Sequence, residues 1–351
     1  MTTDGVTAPR VVLVTGVSRY LGGLLAGLLA ADPSIEQVIG VDVVPPRADI
    51  GRTEFVRADI RNPIIAKVIA AASVDTVVHM NVIATPLGAG GRSAMKEINV
   101  IGTMQLLAAC QKAPSVRKLV VKSTSAVYGS SPRDPALYSE DMEPKALPRS
   151  GYAKDAVEVE GYVRGFGRRR PDVATTLLRF SNFIGPRIET PLTRYFSLPV
   201  VPKVLGFDPR VQLIHEDDGV EVLRRAVLED HPGTYNVGGD GVMLLSQAVR
   251  RAGRPTLPVV EPAVNLTGQL FRRAGLVDFS PEQLRFLEHG RAMDTARLRN
   301  RFGFSPSYST VEAFDDFVRG RGLRPYLAKR GLAEVEGAIG AIFQRRKAFS
   351  G

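Results

Sequence analysis

A turn near the start of the chain contains residues that could hold the phosphates of a nucleotide. It spans Thr15–Gly22 and lies between a short β-branched run and an apolar helical stretch. In such a turn Gly16 allows a tight bend and Gly22 lets the next helix pack close to the sheet, while the helix N-terminus offers N–H groups to a pyrophosphate. The position between them, normally a third glycine, holds Arg19. The predicted cofactor contacts are Gly16, Arg19, Tyr20, Leu21 and Gly22.

A carboxylate at the end of the next predicted strand, Asp42, extends this site. A carboxylate about 20 residues after such a turn accepts hydrogen bonds from an adenosine ribose and repels a 2′-phosphate. Asp42 therefore favours NAD over NADP. The alternative is that its side chain only caps the turn that follows the strand.

Further motifs follow in a characteristic order along the chain. They are Asp59–Arg61 after the third predicted strand, Asn99–Thr103 within a helix, Ser123–Gly129 after the fifth strand, Tyr152 at a helix start, Arg179–Arg187 after the sixth strand, and His215–Asp218. Together with the turn they resemble the extended short-chain dehydrogenases/reductases, the NAD-dependent epimerase/dehydratase family. Among its members the chain is most similar to actinobacterial proteins of the UDP-glucose 4-epimerase-like type. The resemblance runs from about residue 10 to 320.

This resemblance implies a seven-stranded NAD(P)-binding sheet with a C-terminal substrate lobe, a nucleotide-sugar substrate, and a homodimer formed through the helices at 93–111 and 152–169. It also implies roles for individual residues. Thr124 corresponds to the hydroxyl that hydrogen-bonds the substrate oxygen, and Tyr152 corresponds to the general base. The remaining implied contacts are Asn182 to the nucleotide sugar, Asp59 and Ile60 to the adenine, and Asn99 to the cofactor.

The sequence departs from the family pattern at the residue that activates the tyrosine. In the Tyr-x-x-x-Lys motif the lysine holds the nicotinamide ribose and lowers the pKa of the tyrosine, but here that position is Ala156. An isolated tyrosine has a pKa near 10, so only about 0.3% is phenolate at pH 7.5. Lys154 would point away from Tyr152 on a helix. Lys122 shares the strand face of Thr124, and we predict that it projects into the cleft and supplies the missing cation. The alternative is a lysine that ends the strand at the surface or pairs structurally.

The elements that position these residues follow from apolar runs and turn signals. Strands are predicted at Val11–Thr15, Val38–Val44, Glu54–Arg57, Thr76–His79, Val116–Lys122 and Val173–Phe180, alternating with helices at Leu21–Ala31, Pro63–Ala72, Ser93–Gln111 and Tyr152–Arg169. This alternation predicts an α/β fold with a doubly wound parallel sheet of the Rossmann type. We expect a nucleotide-binding domain at 10–185 and a smaller substrate lobe at 186–325. The lobe contains short elements such as Thr234–Val237, although later strands and helices can also return to the main sheet.

Composition excludes several classes of protein. The chain has 351 residues, a formal net charge of +10 and one cysteine, Cys110, so we expect neither an internal disulfide nor a cysteine-based metal site. The basic residues are scattered and no zinc-finger or RNA-recognition signature is present, which argues against nucleic acid as a partner. The first ten residues have no apolar core, so we expect a cytoplasmic protein without a signal peptide.

The C-terminal segment 326–351 is predicted to form a basic amphipathic helix. Its apolar positions share one face and it ends in Arg345, Arg346 and Lys347. Such a helix can bind an acidic membrane surface, and it can also pack on its own core or on a partner subunit.

Three functions remain compatible with the sequence. The first is an NAD-dependent enzyme that epimerises, dehydrates or reduces a nucleotide sugar. The second is a catalytically impaired relative that binds a nucleotide or nucleotide sugar as a sensor or scaffold, which Arg19 and Ala156 favour. The third is a peripheral membrane protein that uses the C-terminal helix.

Overall fold

The computed structural model describes residues 9–80, 83, 90–144, 147–148, 151–260 and 281–323. The strands are β1 (Val11–Thr15), β2 (Gln37–Asp42), β3 (Glu54–Arg57), β4 (Thr76–His79), β5 (Lys118–Thr124), β6 (Ala174–Phe180), β7 (Asn182–Ile184), β8 (Val201–Val204), β9 (Arg210–Val211), β10 (Leu213–His215), β11 (Gly233–Val237), β12 (Met243–Leu244), β13 (Thr256–Val259) and β14 (Gly290–Arg291). The helices are α1 (Tyr20–Ala31), α2 (Ile64–Ala71), α3 (Arg92–Lys96), α4 (Gly102–Lys112), α5 (Gly151–Arg169), α6 (Pro191–Ser197), α7 (Glu216–Leu228), α8 (Leu245–Arg251), α9 (Pro281–His289), α10 (Ala296–Asn300) and α11 (Thr310–Gly320). A π-helical turn, Glu97–Ile101, joins α3 and α4.

The central sheet has seven parallel strands in the order β3-β2-β1-β4-β5-β6-β11. This arrangement confirms the predicted doubly wound Rossmann-type fold. The direction of strand succession reverses between β1 and β4. In open α/β sheets the crevice at such a reversal, outside the carboxyl ends of the strands, is where ligands bind. The turn after β1 and the motif after β5 both lie at that edge.

One strand belongs elsewhere than its position in the sequence suggests. The sequence pattern places Thr234–Val237 with the short elements of the second lobe, but β11 pairs with β6 and forms the edge of the main sheet. The helix before it, α7, packs against α1 and β5. The proline-rich segment after β6 breaks the strand–helix alternation, and for that reason the sequence pattern hides the return of the chain to the sheet.

The sheet carries an apolar layer on each face because successive strand residues point to opposite sides. Val12 and Val14 of β1 pack with α1 and α7, whereas Leu13 packs on the other face with α2, α4 and α5. The apolar spacing of α1 buries Leu25 and Leu29 completely. Helix α2 begins at Ile64, one residue after the predicted start, and the Asn62 side chain accepts from the Ile64 N–H.

The second lobe has its own core around Phe196, Leu213 and Phe314. Its three-stranded sheet has the order β12-β9-β14, and two smaller strand pairs, β7 with β10 and β8 with β13, flank it. The helix predicted at 326–351 and the membrane contact predicted for it fall outside the described residues. Within the described ranges, no helix is long and apolar enough to cross a membrane.

Candidate active site

The turn after β1 has the geometry that its glycines predict. Gly16 adopts a φ of +75° and its N–H donates to the Val41 carbonyl at 2.9 Å. A Cβ at Gly22 would lie 2.3 Å from the Gly16 carbonyl oxygen, a separation that real Cβ atoms do not reach. Only glycine therefore fits at position 22, and the first turn of α1 packs directly on the bend.

The start of α1 can receive an anion. The N–H groups of Tyr20, Leu21 and Gly22 belong to the first helical turn and have no acceptor within the helix. Arg19 precedes them in an extended conformation, is exposed, and lines the cavity described below together with these three residues. The region therefore combines backbone donors with a cation at the position that is normally a glycine.

Tyr20 also ties this turn to the start of α7. Its hydroxyl is hydrogen-bonded to Glu216, and burial together with the negative charge of that carboxylate raises the pKa of Tyr20 to about 12. Glu216 is fully buried and accepts from the Arg187 side chain at 2.9 Å and from the Ile188 N–H at 2.6 Å. The tether fixes the start of α7 and the Arg187–Ile188 backbone beside the start of α1.

Asp42 ends β2 beside the turn. One carboxylate oxygen accepts from the Ser18 N–H at 3.1 Å and the other from the Val43 N–H at 2.7 Å. The turn-capping alternative therefore describes contacts that are present. An ionised carboxylate has about four acceptor sites, so these two bonds leave capacity for the hydroxyls of a ribose.

The other predicted cofactor residues lie away from the cavity wall. Asp59 is bonded to the Arg61 guanidinium, which holds the pKa of this carboxyl below its usual range. Ile60 is buried against Gly102. Asn99 is fully buried, where its amide bonds both the N–H and the carbonyl of Ile83, a residue that lines the cavity. Asn99 thus shapes the wall through Ile83, and direct contact of these three residues with a cofactor stays a prediction.

A cavity of about 300 Å³ lies at the carboxyl ends of β1, β5 and β6. The second lobe contributes Ile188 to Leu192 and, from α9, Phe286 and Leu287 to its wall. The predicted site residues that line it are Gly16, Arg19, Tyr20, Leu21, Gly22, Lys122, Thr124, Tyr152 and Asn182. The structure therefore brings the nucleotide turn and the proposed catalytic residues into one space.

Thr124 is the last residue of β5. Its hydroxyl oxygen accepts from the Ala126 N–H at 3.2 Å and so starts the short helical turn Ser125–Tyr128. The hydroxyl oxygen thus serves a backbone group, but the hydroxyl proton is still available to donate into the cavity. The preceding hydroxyl, Ser123, points to the other side and donates to Glu160 at 2.7 Å.

Tyr152 lies in the first turn of α5 and packs on Met95 and Ala126. Only 8% of the residue is exposed, yet it lines the cavity. Burial without a nearby cation would disfavour the phenolate that a general base needs. The charges around this hydroxyl therefore decide whether it can act as a base.

Lys122 projects into the cavity as predicted. Its ammonium lies 5.6 Å from the centre of the Phe183 ring, and burial lowers the pKa of Lys122 from 10.5 to about 8. Its positive charge also contributes, after burial, to the lowered pKa of His79, about 4. No carboxylate pairs with Lys122 in the part of the chain that the structure describes. Its structural-pairing alternative has no support among these contacts.

Ala156, at the motif lysine position, faces an apolar cluster. It is fully buried and packs with Val127, Tyr128, Tyr138 and Met293. The rings of Tyr128 and Tyr138 stack 4.5 Å apart. A lysine side chain at this position would have to enter that cluster. The surroundings of position 156 therefore suit an alanine and not a charged side chain.

One charged residue at this end of the cavity escaped the sequence analysis. Arg291, in β14, reaches the turn after β5 and donates to Ser125 Oγ at 3.1 Å and to Ser130 Oγ at 3.2 Å. Its guanidinium lies 5.4 Å from the centre of the Phe286 ring. Arg291 is separated from Ser125 by 166 positions and belongs to no recognisable motif, so no local signal marks it.

No cluster of metal-ligating side chains occurs among the described residues.

Asn182 lines the cavity at the start of β7, where it pairs with Leu213 of β10. The cavity therefore offers hydroxyl, phenol, amide and ammonium groups.

Known proteins match this chain over most of its length. The NAD dependent epimerase/dehydratase family matches residues 12–238. An uncharacterised protein of Mycobacterium tuberculosis is 50% identical over 341 residues, which cover 96% of this chain and 91% of that protein. Among solved structures, UDP-glucose 4-epimerase of Thermotoga maritima with UDP-glucose has a TM-score of 0.68 at 18% identity and covers 89% of this chain and 98% of its own. The Thermus thermophilus UDP-glucose 4-epimerase complex with NAD also has a TM-score of 0.68, at 21% identity, with 89% and 99% covered.

Proposed function

Since the chain belongs to the NAD-dependent epimerase/dehydratase family, we propose that it binds NAD and a nucleotide sugar in this cavity and transiently oxidises a hydroxyl of the sugar. The observation that carries the proposal is the meeting in one cavity of the turn after β1 with Thr124, Tyr152 and Asn182. The UDP-glucose and NAD complexes of the structurally similar epimerases support the two ligand classes.

The residues at the turn fit a dinucleotide. The close contact of Gly22 with Gly16 and the unpaired first-turn N–H groups form a cradle for a pyrophosphate. Asp42 would hold the adenosine ribose, and its negative charge favours NAD over NADP. Arg19 would lie against the phosphates as a counter-charge. Bound NAD supplies the hydride acceptor for oxidation of a carbinol.

The chain's own groups handle the proton. Thr124 donates a hydrogen bond to the sugar oxygen and so aligns the sugar hydroxyl. The Tyr152 phenolate accepts the proton of this sugar hydroxyl. Asn182 orients the nucleotide sugar through its amide. Lys122 remains largely protonated at neutral pH because its pKa is about 8, so it places a positive charge in the space that these groups share.

The lining favours epimerisation or keto reduction over dehydration. Dehydration requires a further acid and base to move protons on the sugar carbons. Among the described residues that line the cavity the carboxylate is Glu189, which is half exposed and paired with Arg194 and Arg321. The two residues that follow Thr124–Ser125 along the chain, Ala126 and Val127, are apolar and supply no further acid or base. Oxidation and re-reduction need only the groups that are present.

The second candidate function is a nucleotide-sugar sensor without turnover. The observation that favours it is Ala156, which lies in an apolar cluster at the position where the family has the lysine that activates the tyrosine. Such a protein would bind both ligands and leave the sugar unchanged.

The described surface also supports a homodimer. The helix formed by α3 and α4 exposes Ile101 and Met104, and the neighbouring helix α5 exposes Tyr162 beside Gly161. These two helices are the ones through which the family resemblance predicts dimerisation. A Met104→Glu variant should therefore sediment as a monomer, whereas the wild-type protein should sediment as a dimer.

The enzymatic proposal is tested by incubating the NAD-loaded protein with UDP-glucose and with UDP-galactose and separating the sugars afterwards. We expect interconversion or accumulation of NADH, and a loss of about 10²–10⁴-fold in the Tyr152→Phe variant, as for removal of a general base. A variant that still binds NAD and works at the wild-type rate would contradict the role of Tyr152. Binding of both ligands without any change in sugar or cofactor would favour the sensor.

A further inference from the structure

Arg291 is held in place by the second lobe. Strand β14 pairs in parallel with β9, so that Arg291 lies beside Val211. The next residues are fixed by Gln212, whose amide donates to the Met293 carbonyl at 3.2 Å and accepts from the Met293 N–H at 2.8 Å. The guanidinium also donates to the Gly129 carbonyl. Arg291 therefore has one defined position between the lobe and the turn after β5.

From that position the guanidinium lies beside Tyr152, because it donates to Ser125 and the Tyr152 ring packs on the next residue, Ala126. Burial lowers the pKa of Arg291, and the hydrogen bond and charge of Tyr152 act in the opposite direction. An arginine side chain carries donors only and stays charged in proteins. In the hydrogen bond between the two side chains the phenolic oxygen of Tyr152 is therefore the acceptor.

The same segment occupies the space of the missing lysine. Met293, two residues after Arg291, packs on Ala156. Tyr138 in turn packs there and is bonded to the segment through its N–H, which donates to the Ala292 carbonyl at 3.0 Å. One stretch of the second lobe thus fills the volume at position 156 and brings a cation to the tyrosine.

We propose that Arg291 is the positioning residue that replaces the motif lysine, by holding the hydroxyl of Tyr152 and stabilising its phenolate form from the second lobe. Its use in catalysis rests on the proposed function, but the contact itself is a property of the chain. With Arg291 in place of the motif lysine, the positive charge comes from a different element. It comes from the second lobe and not from α5, the helix that carries the tyrosine. Correct docking of the lobe therefore becomes a condition for an active base.

Other charged groups around Tyr152 have their own roles. On α5, Asp155 is fully buried and bonded bidentately to Arg92, and Lys154 lies 3.9 Å from Glu158. Across the cavity, Lys122 faces the same space. Close to Arg291 lie the carboxylate of Asp134 and the phenol of Tyr138, which is negative only when ionised. Arg291 and Lys122 are thus two cations that can act on Tyr152, and they differ because Lys122 loses its charge above about pH 8.

The test is a spectroscopic titration of Tyr152 without cofactor or sugar. The near-ultraviolet absorbance of tyrosinate is followed against pH in the wild-type protein and in Tyr152→Phe, and their difference isolates the titration of Tyr152. We expect Tyr152 to titrate below the value near 10 of an isolated tyrosine. In Arg291→Gln, which keeps amide hydrogen bonding without the charge, the midpoint should rise by about 1–3 pH units, the usual effect of an adjacent opposite charge. Arg291→Lys should restore most of the shift.

Two further variants separate this role from a general structural effect. Arg210→Gln removes an arginine from the neighbouring strand β9, where it pairs with Gly290, and should leave the titration unchanged. Lys122→Met should move the midpoint less than Arg291→Gln does. An unchanged midpoint in Arg291→Gln, or a larger shift in Lys122→Met, would overturn the proposal. If Arg291→Gln fails to fold, a wild-type midpoint at or above that of an isolated tyrosine would overturn it equally. Because no ligand is added, failure of the titration and failure of the enzymatic proposal are read separately.

Discussion

The two ends of the cavity are constructed differently. The proposed cofactor end consists of one contiguous strand–turn–helix segment, in which Gly16, Gly22 and the first turn of α1 contact one another. The proposed catalytic end combines β5, the start of α5 and β14, and the contact between Ser125 and Arg291 spans 166 positions. The first end is therefore fixed by local backbone geometry, and the second depends on the docking of two lobes.

This difference indicates how the family site can change. A local turn tolerates few substitutions because each residue is constrained by its neighbours in the sequence. A site assembled from distant segments can lose a residue such as the motif lysine while another segment brings in an equivalent charge. The cofactor end of this chain retains both outer glycines, and the catalytic end contains Ala156, Lys122 and Arg291 in a new combination.

The largest effect is expected from Gly22→Ala, which tests the local end. The added Cβ would meet the Gly16 carbonyl oxygen at 2.3 Å, so the turn or the helix must move. Overpacking of this kind costs about 1–3 kcal/mol, and we also expect NAD binding to be lost in calorimetric titration. The matched control is Gly27→Ala in the same helix, where the nearest atoms would lie at 3.8 Å or more.

The control should be neutral or more stable by about 0.5–1 kcal/mol, because alanine favours the helix. Normal NAD affinity in Gly22→Ala would show that the first turn of α1 does not hold the pyrophosphate.

A smaller effect is expected from Lys122→Met, which tests the cation at the catalytic end. The pKa of Lys122 falls from 10.5 in the unfolded chain to about 8 in the folded protein because burial disfavours the ammonium. Below pH 8 both states are protonated and the folded state bears the full desolvation cost. Between pH 8 and 10.5 the unfolded state binds more protons, so wild-type stability should rise with pH.

The Met variant lacks this dependence. Its melting temperature should exceed that of the wild type at pH 7, and the difference should shrink as the pH approaches 10. A variant less stable than the wild type at pH 7 would mean that Lys122 has a stabilising partner. Together with reduced turnover, higher stability would identify Lys122 as a residue retained for function at the expense of stability.

The smallest effect is expected from Asp42→Asn, which tests cofactor choice at the local end. Removing one negative charge near the ribose should lower the repulsion of a 2′-phosphate by about 1 kcal/mol, which is the interaction of two charges 4 Å apart in water. The ratio of NADP to NAD affinity in titration calorimetry should therefore rise about fivefold. An unchanged ratio would show that Asp42 serves only the Ser18 and Val43 backbone groups.

The same division explains how much the sequence could predict. The turn, the strands around it and the order of the parallel sheet follow from local patterns, and the structure confirms the fold that they indicate. The strand face of Lys122 could be predicted because alternation along β5 places it with Thr124. The identity of the returning strand, β11, and the contact of Arg291 with the turn after β5 could not, since both depend on contacts between segments far apart in the chain.

Buried contacts also changed the interpretation of individual residues. Asn99 belongs to a motif that suggested contact with the cofactor, but its amide is bonded to the Ile83 backbone and lies behind the cavity wall. The carboxylate of Asp59 is likewise bonded to Arg61. A sequence motif identifies such residues, but only the packing around them shows whether they act on a ligand directly or through the wall.

The central claim is that the cavity binds NAD together with a nucleotide sugar. It is tested most directly by thermal-shift measurement of the full chain with NAD, NADP, UDP-glucose and UDP-galactose, each alone and in combination. We predict that NAD raises the melting temperature more than NADP does, and that a UDP-sugar adds a further increase to the NAD-bound protein. Absence of any shift with NAD or NADP at millimolar concentration would contradict the proposed dehydrogenase chemistry.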